Sequence, residues 1–312
     1  MYRVFSGAKN IPNPKVGHVR SLRHSLSLSP VNVAMSSGGR LALFAEKAAL
    51  AVLTTYPFVN AFSFLMLVAE QARVTSESFL SILSSLIIYV HVVLMFMCAL
   101  ALKLDDANHR VALAHSAQLV LLVYYNVSSG LGPHYADGLL IRVLSHAIGT
   151  VASYLTLAAK LGRSTGLHRA ATVLFGVFAA GCAYAVQCDT DFVLALRLAY
   201  HAFTLDLDLV PAVVFHMLAV VGFLVCALTF LNETITRHVA AVLALLVLFI
   251  NVAVDWRLDF WTRRQRADFW CAFRIAADNV PILAALTLFA LQPMPSVDET
   301  GNKKSNDART CH

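Results

Sequence analysis

Eight apolar runs divide the chain between residues 41 and 291: Leu41 to Val68, Phe79 to Leu102, Val111 to Ser129, Leu139 to Leu161, Leu167 to Gln187, Val210 to Leu231, Val239 to Val254 and Phe269 to Leu291. Crossing about 30 Å of hydrocarbon takes roughly 20 helical residues at about 1.5 Å each, which is near the length of every run but the seventh. The seventh reaches that length with Arg237 and Asp255 as snorkelling ends. A bare backbone finds no hydrogen-bond partner in lipid, so spanning segments are helices or closed barrels. Continuous runs without alternation specify helices. With 58% hydrophobic and 13% charged residues and a mean hydropathy of +0.68, the chain cannot surround one core with a wet surface. The expectation is an all-α, multi-pass transmembrane helical bundle of about eight spans over 41–291.

Two tails bracket the bundle. Residues 1–40 carry Arg3, Lys9, Lys15, Arg20, Arg23 and Arg40 without one acid, and read as a disordered basic tail, with a mitochondrial presequence as the second reading. Met35, followed by SSGGR, would serve as a start for a shorter chain. Residues 292–312 mix acids and bases without an apolar anchor and read as a short disordered end. No cleavable secretory signal precedes the first span, which is expected to act as the insertion signal itself.

Lys and Arg resist translocation, so their distribution orients the bundle. With eight spans, the basic tail, the loops holding Lys103, Arg110, Lys160, Arg163, Arg169 and Arg237, and the C-terminal tail share the more positive side, expected to be cytosolic. Arg73, Arg142, Arg197, Arg257, Arg263, Arg264, Arg266 and Arg274 fall on the other. The segment 191–210 holds Asp191, Asp206 and Asp208, which make a full crossing costly, and reads as an interfacial amphipathic helix.

VDWRLDFWTRRQRADFW, residues 254–270, packs three Trp and two Phe around Arg257, Arg263, Arg264 and Arg266. Indole rings prefer the headgroup level and Arg reaches phosphates from there. Trp256, Trp261 and Trp270 are therefore expected to mark one interfacial plane, with Asp255, Asp259 and Asp268 as ion-pair partners for the Arg. The alternative is a site for an anionic lipid or ligand at Arg257, Arg263, Arg264 and Arg266. Inside the spans, His91, His115, His146, Asp255 and Asp278 are the candidate intramembrane polar residues, accompanied by Gln118 and Asn126. They form either ordinary interhelical hydrogen bonds or a seam for a proton or solute. Pro281, three residues after Asp278, removes a backbone donor and predicts a kink in the last span.

The chain resembles the transmembrane protein 101 family. YPFVNAFSFLMLVAEQA (Tyr56 to Ala72) is similar to that family's Pro-Phe, Phe-Ser, Leu-Met-Leu and Ala-Glu pattern, and HYADGLLIRV (His134 to Val143) to its Tyr, Gly-Asp or Ala-Asp, Arg stretch. Asp255, Phe260 with Trp261, Arg266, Asp268, Phe269, Trp270 and Asp278 fall at the spacing of its Asp, Tyr-Trp, Arg, Glu-Phe-Trp and Glu. The basic run Arg263, Arg264, Gln265, Arg266 departs from its Arg-Arg register. The resemblance implies a multi-pass membrane protein of uncharacterised biochemical activity, associated with activation of NF-kappa-B signalling, without catalytic residues to carry over.

Other chemistry is sparse. The six Cys form no Cys-x-x-Cys, no His-Glu-x-x-His or phosphate-cradling Gly loop occurs, and no cofactor, metal, nucleic acid or enzymatic role is expected. The partners expected are the lipid bilayer, with anionic headgroups, and unidentified proteins. The primary expectation is a membrane scaffold or accessory of NF-kappa-B signalling in an endomembrane or the plasma membrane. The alternative is a small-solute or ion transporter.

Overall fold

The computed structural model describes residues 37–72, 79–104, 108–128, 137–204, 212–231, 236–264 and 269–291. The expected disordered tails lie outside these residues apart from 37–40. The elements are α1 (Ser37–Ala72), α2 (Phe79–Leu104), α3 (His109–Ser128), α4 (Asp137–Gly162), α5 (Thr165–Cys188), α6 (Thr190–Thr204), α7 (Ala212–Leu231), α8 (Thr236–Ile250) and α9 (Phe269–Leu291), with π-helical turns at Asn251–Asp255 and Phe260–Arg264. Among the described residues there is no strand.

Among the described residues seven helices are long and apolar enough to cross a membrane, and α3 is not one of them. Its polar His115 and Gln118 lower its hydropathy, yet at 20 residues it still spans about 30 Å. Ion-pair geometry decides its role. Glu46 near the start of α1 binds Lys160 at the end of α4 at 2.5 Å, and Glu70 at the end of α1 accepts the Trp270 N–H at the start of α9 at 3.4 Å. Both α4 and α9 therefore run antiparallel to α1, and with the seven apolar helices crossing, that requires α3 to cross as well. The bundle has eight spans, and the chain enters and leaves it on the same side. At 15 residues α6 is too short to span. It buries Phe192, Ala195, Leu196, Ala199 and Tyr200 on one face and exposes Arg197 and His201 on another. The seventh span continues past Ile250 through its π turn to Asp255.

Two apolar cores flank a shared wall of α4 and α9, the most enclosed spans. One gathers α5 to α8 and the π turns, with Phe175, Phe178, Phe223 and Phe230 at its centre. The other joins α1, α2 and α3 through Leu53, Tyr56, Met95 and Leu122. Exposed Leu and Val on α2 and α7 form the apolar outer surface that lipid covers. Small residues let the wall close: a Cβ on Gly149 would lie 2.6 Å from Ile282 Cδ1 and 2.9 Å from Phe178 Cδ2, and one on Gly181 would overlap the Ser145 side chain. The α4–α5 turn is equally tight, with Arg163 at φ 48° and the Ser164 N–H bonding back to Ala159 O at 3.1 Å.

Each proline is accommodated inside its helix. Pro57 cannot donate to Leu53 O, and the Tyr154 hydroxyl of α4 donates to that carbonyl instead, at 3.1 Å. α9 is assigned as one helix through Pro281. Its ends are served by neighbours: Glu70 accepts from the first turn, and Arg237 Nε donates to Ala290 O at 2.7 Å in the last. Acid at the N-terminus and base at the C-terminus also match the helix dipole.

Gly181→Val is expected to lower stability by about 1–3 kcal/mol through overpacking against Ser145, measured as thermal unfolding in detergent. Ser145→Gly should restore part of the loss. Gly166→Ala, whose new Cβ would meet only Ser164 Oγ at 4.0 Å, should leave the transition in place.

Candidate functional site: two intramembrane polar clusters

Consecutive residues of α9 face opposite cores. Asn279 points toward α8, where its Nδ2 donates to Asp255 Oδ2 at 2.6 Å and lies 3.1 Å from Asn251 Oδ1. Asp278 points toward α1 and accepts the Tyr56 hydroxyl on Oδ1.

The first cluster centres on an ion pair between Arg142 of α4 and Asp255, with side-chain exposures of 3% and 0%. The π turn, closed by the Trp256 N–H on Asn251 O at 2.9 Å, carries both Asn251 and Asp255 inward. Above the guanidinium lie Trp261, 4.4 Å from ring centroid to Cζ, and Phe192 of α6 at 5.1 Å. Asp189, buried between α5 and α6, caps α6 by accepting from the Asp191 and Phe192 N–H groups at 3.0 and 3.1 Å, and its charge also acts on Arg142. One turn along α4, His146 packs edge-on against Phe178.

The second cluster joins α1, α4 and α9. Arg274 Nη2 donates to Asn60 Oδ1 at 3.5 Å, and its guanidinium lies over Phe64 at 4.9 Å. Tyr154 meets the His115 ring at 4.4 Å, His115 Nδ1 lies 3.4 Å from Gln118 Oε1, and Gln118 Nε2 donates to His91 O at 2.7 Å. Tyr154 and the His91 backbone carbonyl thus tie α3 to α4 and to α2, while the His115–Gln118 contact lies within α3. His146 lies outside these contacts, packed against Phe178 of the other core.

The aromatic and basic stretch divides. Trp256 is 46% exposed, Trp270 is half-buried against Phe62 and Phe273, and Trp261 is only 5% exposed. Trp261 corrects the expectation of an interfacial ring. Its indole N–H donates to Val254 O at 3.0 Å, satisfying a carbonyl at the end of the seventh span, while its face covers Arg142. Arg257 is half-buried, and Arg263 is exposed beside Asp259 at 3.6 Å. Arg264 belongs to the second π turn, while Arg266 and Asp268 lie outside the described residues. Arg142 and Arg274, counted with loop charges in the sequence reading, are inside the bundle. The missing partners, Arg142 and Tyr56, carried one prior signal: both lie in stretches that resemble the family.

A family model described as the TMEM101 protein family matches residues 39–292, the helical bundle itself. The chain belongs to the TMEM101 family. No solved structure matches it. The family assignment and the eight crossing helices make this a multi-pass integral membrane protein.

Breaking the buried pair singly leaves an uncompensated charge, so Arg142→Gln or Asp255→Leu is expected to cost about 3–5 kcal/mol, whereas the double variant Arg142→Met/Asp255→Leu should cost much less. Thermal unfolding of the three variants in detergent measures the difference. A double-variant loss equal to the sum of the two single losses would show that the two side chains act independently.

Proposed function

We propose that this TMEM101 family member is a membrane scaffold or accessory that promotes NF-kappa-B signalling through protein partners held at its loops. The observation that carries this reading is how the buried polar groups are used: Asp255 is bound by Arg142 and Asn279, Asp278 by Tyr56, and Gln118 donates to the His91 backbone carbonyl. Those bonds join helix to helix, as a rigid platform requires. A transporter would gather such groups around one path. Here Asp255 and Asp278 face opposite sides of α9, and His146 sits against Phe178. Among the described residues no paired groups with a catalytic arrangement support an intramembrane enzyme. Exposed Trp256 and Arg263 on the face that also carries α6 suit contact with anionic headgroups, at about 1 kcal/mol per charge. An endomembrane or the plasma membrane is the proposed location.

The experiment is an NF-kappa-B reporter in cells with the full-length chain raised and depleted. The signal is expected to rise with expression, fall on depletion, and be lost in Arg142→Gln at matched membrane abundance. A reporter indifferent to both manipulations would remove the signalling reading.

A further inference from the structure

α1 and α2 meet through aromatic rings in the middle part of their spans: Phe58 and Phe96 pack edge to face with centroids 5.9 Å apart. From that contact two side-chain rows run to the same membrane boundary, the one where α1 begins and α2 ends. Along α1 the row is Phe58, Thr54, Ala51 and Lys47, steps of four, three and four residues that stay on one helical face. Along α2 it is Phe96, Leu100 and Lys103, on one face for the same reason. Rows that face each other across neighbouring helices are ordinarily closed, yet Ala51, Lys47 and Lys103 are exposed and Leu100 is 43% exposed. Thr54 asks nothing of α2, because its hydroxyl donates to Ala51 O of its own helix at 3.1 Å. α1 makes few close backbone approaches to its neighbours, and its row is small-sided beyond the ring. The two helices therefore splay from the aromatic contact toward the boundary, leaving an apolar groove floored by Phe58 and Phe96.

The charges at its mouth point to an occupant. A lysine at the end of a span ordinarily reaches outward to the headgroups. Lys103 turns the other way: its Nζ lies over the Phe58 ring, 5.9 Å from the centroid, inside the groove. Side chains lean toward the N-terminus of their helix, which for α2 is toward the middle of the bilayer. Among the described residues neither Lys103 nor Lys47 is ion-paired, and the acid beside them, Glu46, is bound to Lys160 of α4. Two unpaired cations at the open end of an apolar groove complement a hydrocarbon chain that carries an anionic headgroup.

We propose that the α1–α2 groove binds one anionic phospholipid from the leaflet on the side of the chain's termini: an acyl chain lies along Ala51 and Leu100 down to the Phe58–Phe96 contact, and Lys47 and Lys103 hold the phosphate. Phosphatidylcholine offers the same chain, but its choline opposes the two cations, so the site selects net negative charge. It lies on the opposite side of the membrane from Trp256 and Arg263 and does not depend on the scaffold reading.

The test titrates the full-length protein, delipidated in detergent, with phosphatidylglycerol and separately with phosphatidylcholine, read by native mass spectrometry. The wild type should take up one phosphatidylglycerol per monomer ahead of phosphatidylcholine. Lys103→Gln should weaken that binding roughly fivefold, and adding Lys47→Gln should weaken it roughly fivefold again. Ala51→Leu, which fills the groove and keeps both charges, should weaken it too, whereas Arg263→Gln should leave it unchanged. All four positions are exposed, so thermal unfolding of each variant should match the wild type. In nanodiscs, phosphatidylglycerol with a diazirine in its acyl chain should label peptides of α1 and α2. Equal binding of the two lipids by the wild type, or full phosphatidylglycerol binding by the double Lys variant, would overturn the proposal. Binding indifferent to Ala51→Leu would assign the lipid to surface charge alone, and a dimer that excludes it would give the groove to a second copy; either result overturns the groove site.

Discussion

A guanidinium cannot be left alone near hydrocarbon, and the pairing of Arg142 with Asp255 sets the geometry around it. To deliver a carboxylate to the start of α4, the seventh span gives up α-helical winding for a π turn, which brings Asn251 and Asp255 onto one inward face. The chain then folds back so that Trp261 roofs the ion pair and closes the carbonyl of Val254. α6 contributes the opposite ring, Phe192, from a helix whose cap, Asp189, is itself a neighbouring negative charge. A short helix and two π turns thus surround one cation, and the ion pair accounts for their irregularity.

At the far end of α4 the second ion pair, Lys160 with Glu46, does a different job. Its groups are partly exposed and its net stabilisation is small. What it fixes is direction, because only an α4 that runs against α1 brings the two together. Between these ends Gly149 lets α4 approach α9 and Gly181 lets α5 approach α4, since lipid offers no hydrophobic drive between helices and dispersion must come from close approach.

Much of this was legible from the sequence and some was not. Eight spans follow from run length alone, and the weakest, α3, looks weak because His115 and Gln118 spend their polarity on Tyr154 and His91 inside the bundle. Asp255 and Asp278 stand out in any apolar run. Their partners do not: Arg142 lies three residues into a span and reads as a loop charge, and Tyr56 reads as an ordinary core ring. Depth could have found the first, because the start of the fourth span and the end of the seventh lie on one side of the membrane in an eight-span chain. Trp261 misled for a physical reason. An amphipathic ring suits a boundary equally well whether its apolar face meets lipid or a buried cation.

Order of entry explains where the strongest charges sit. α1 enters first and must wait for α4 and α9, so the groups it buries at mid-depth, Tyr56 and Asn60, are neutral, and its acids, Glu46 and Glu70, lie toward its ends. Arg142 arrives before Asp255 and sits close enough to the end of its span to reach the headgroups until α8 supplies the carboxylate. Asp278, placed deepest, belongs to the last span, when every neighbour it needs is already in the membrane. The polar groups hardest to bury are those the chain inserts late, and the bonds that finally hold α1 are long side-chain reaches because its position was taken before its partners existed.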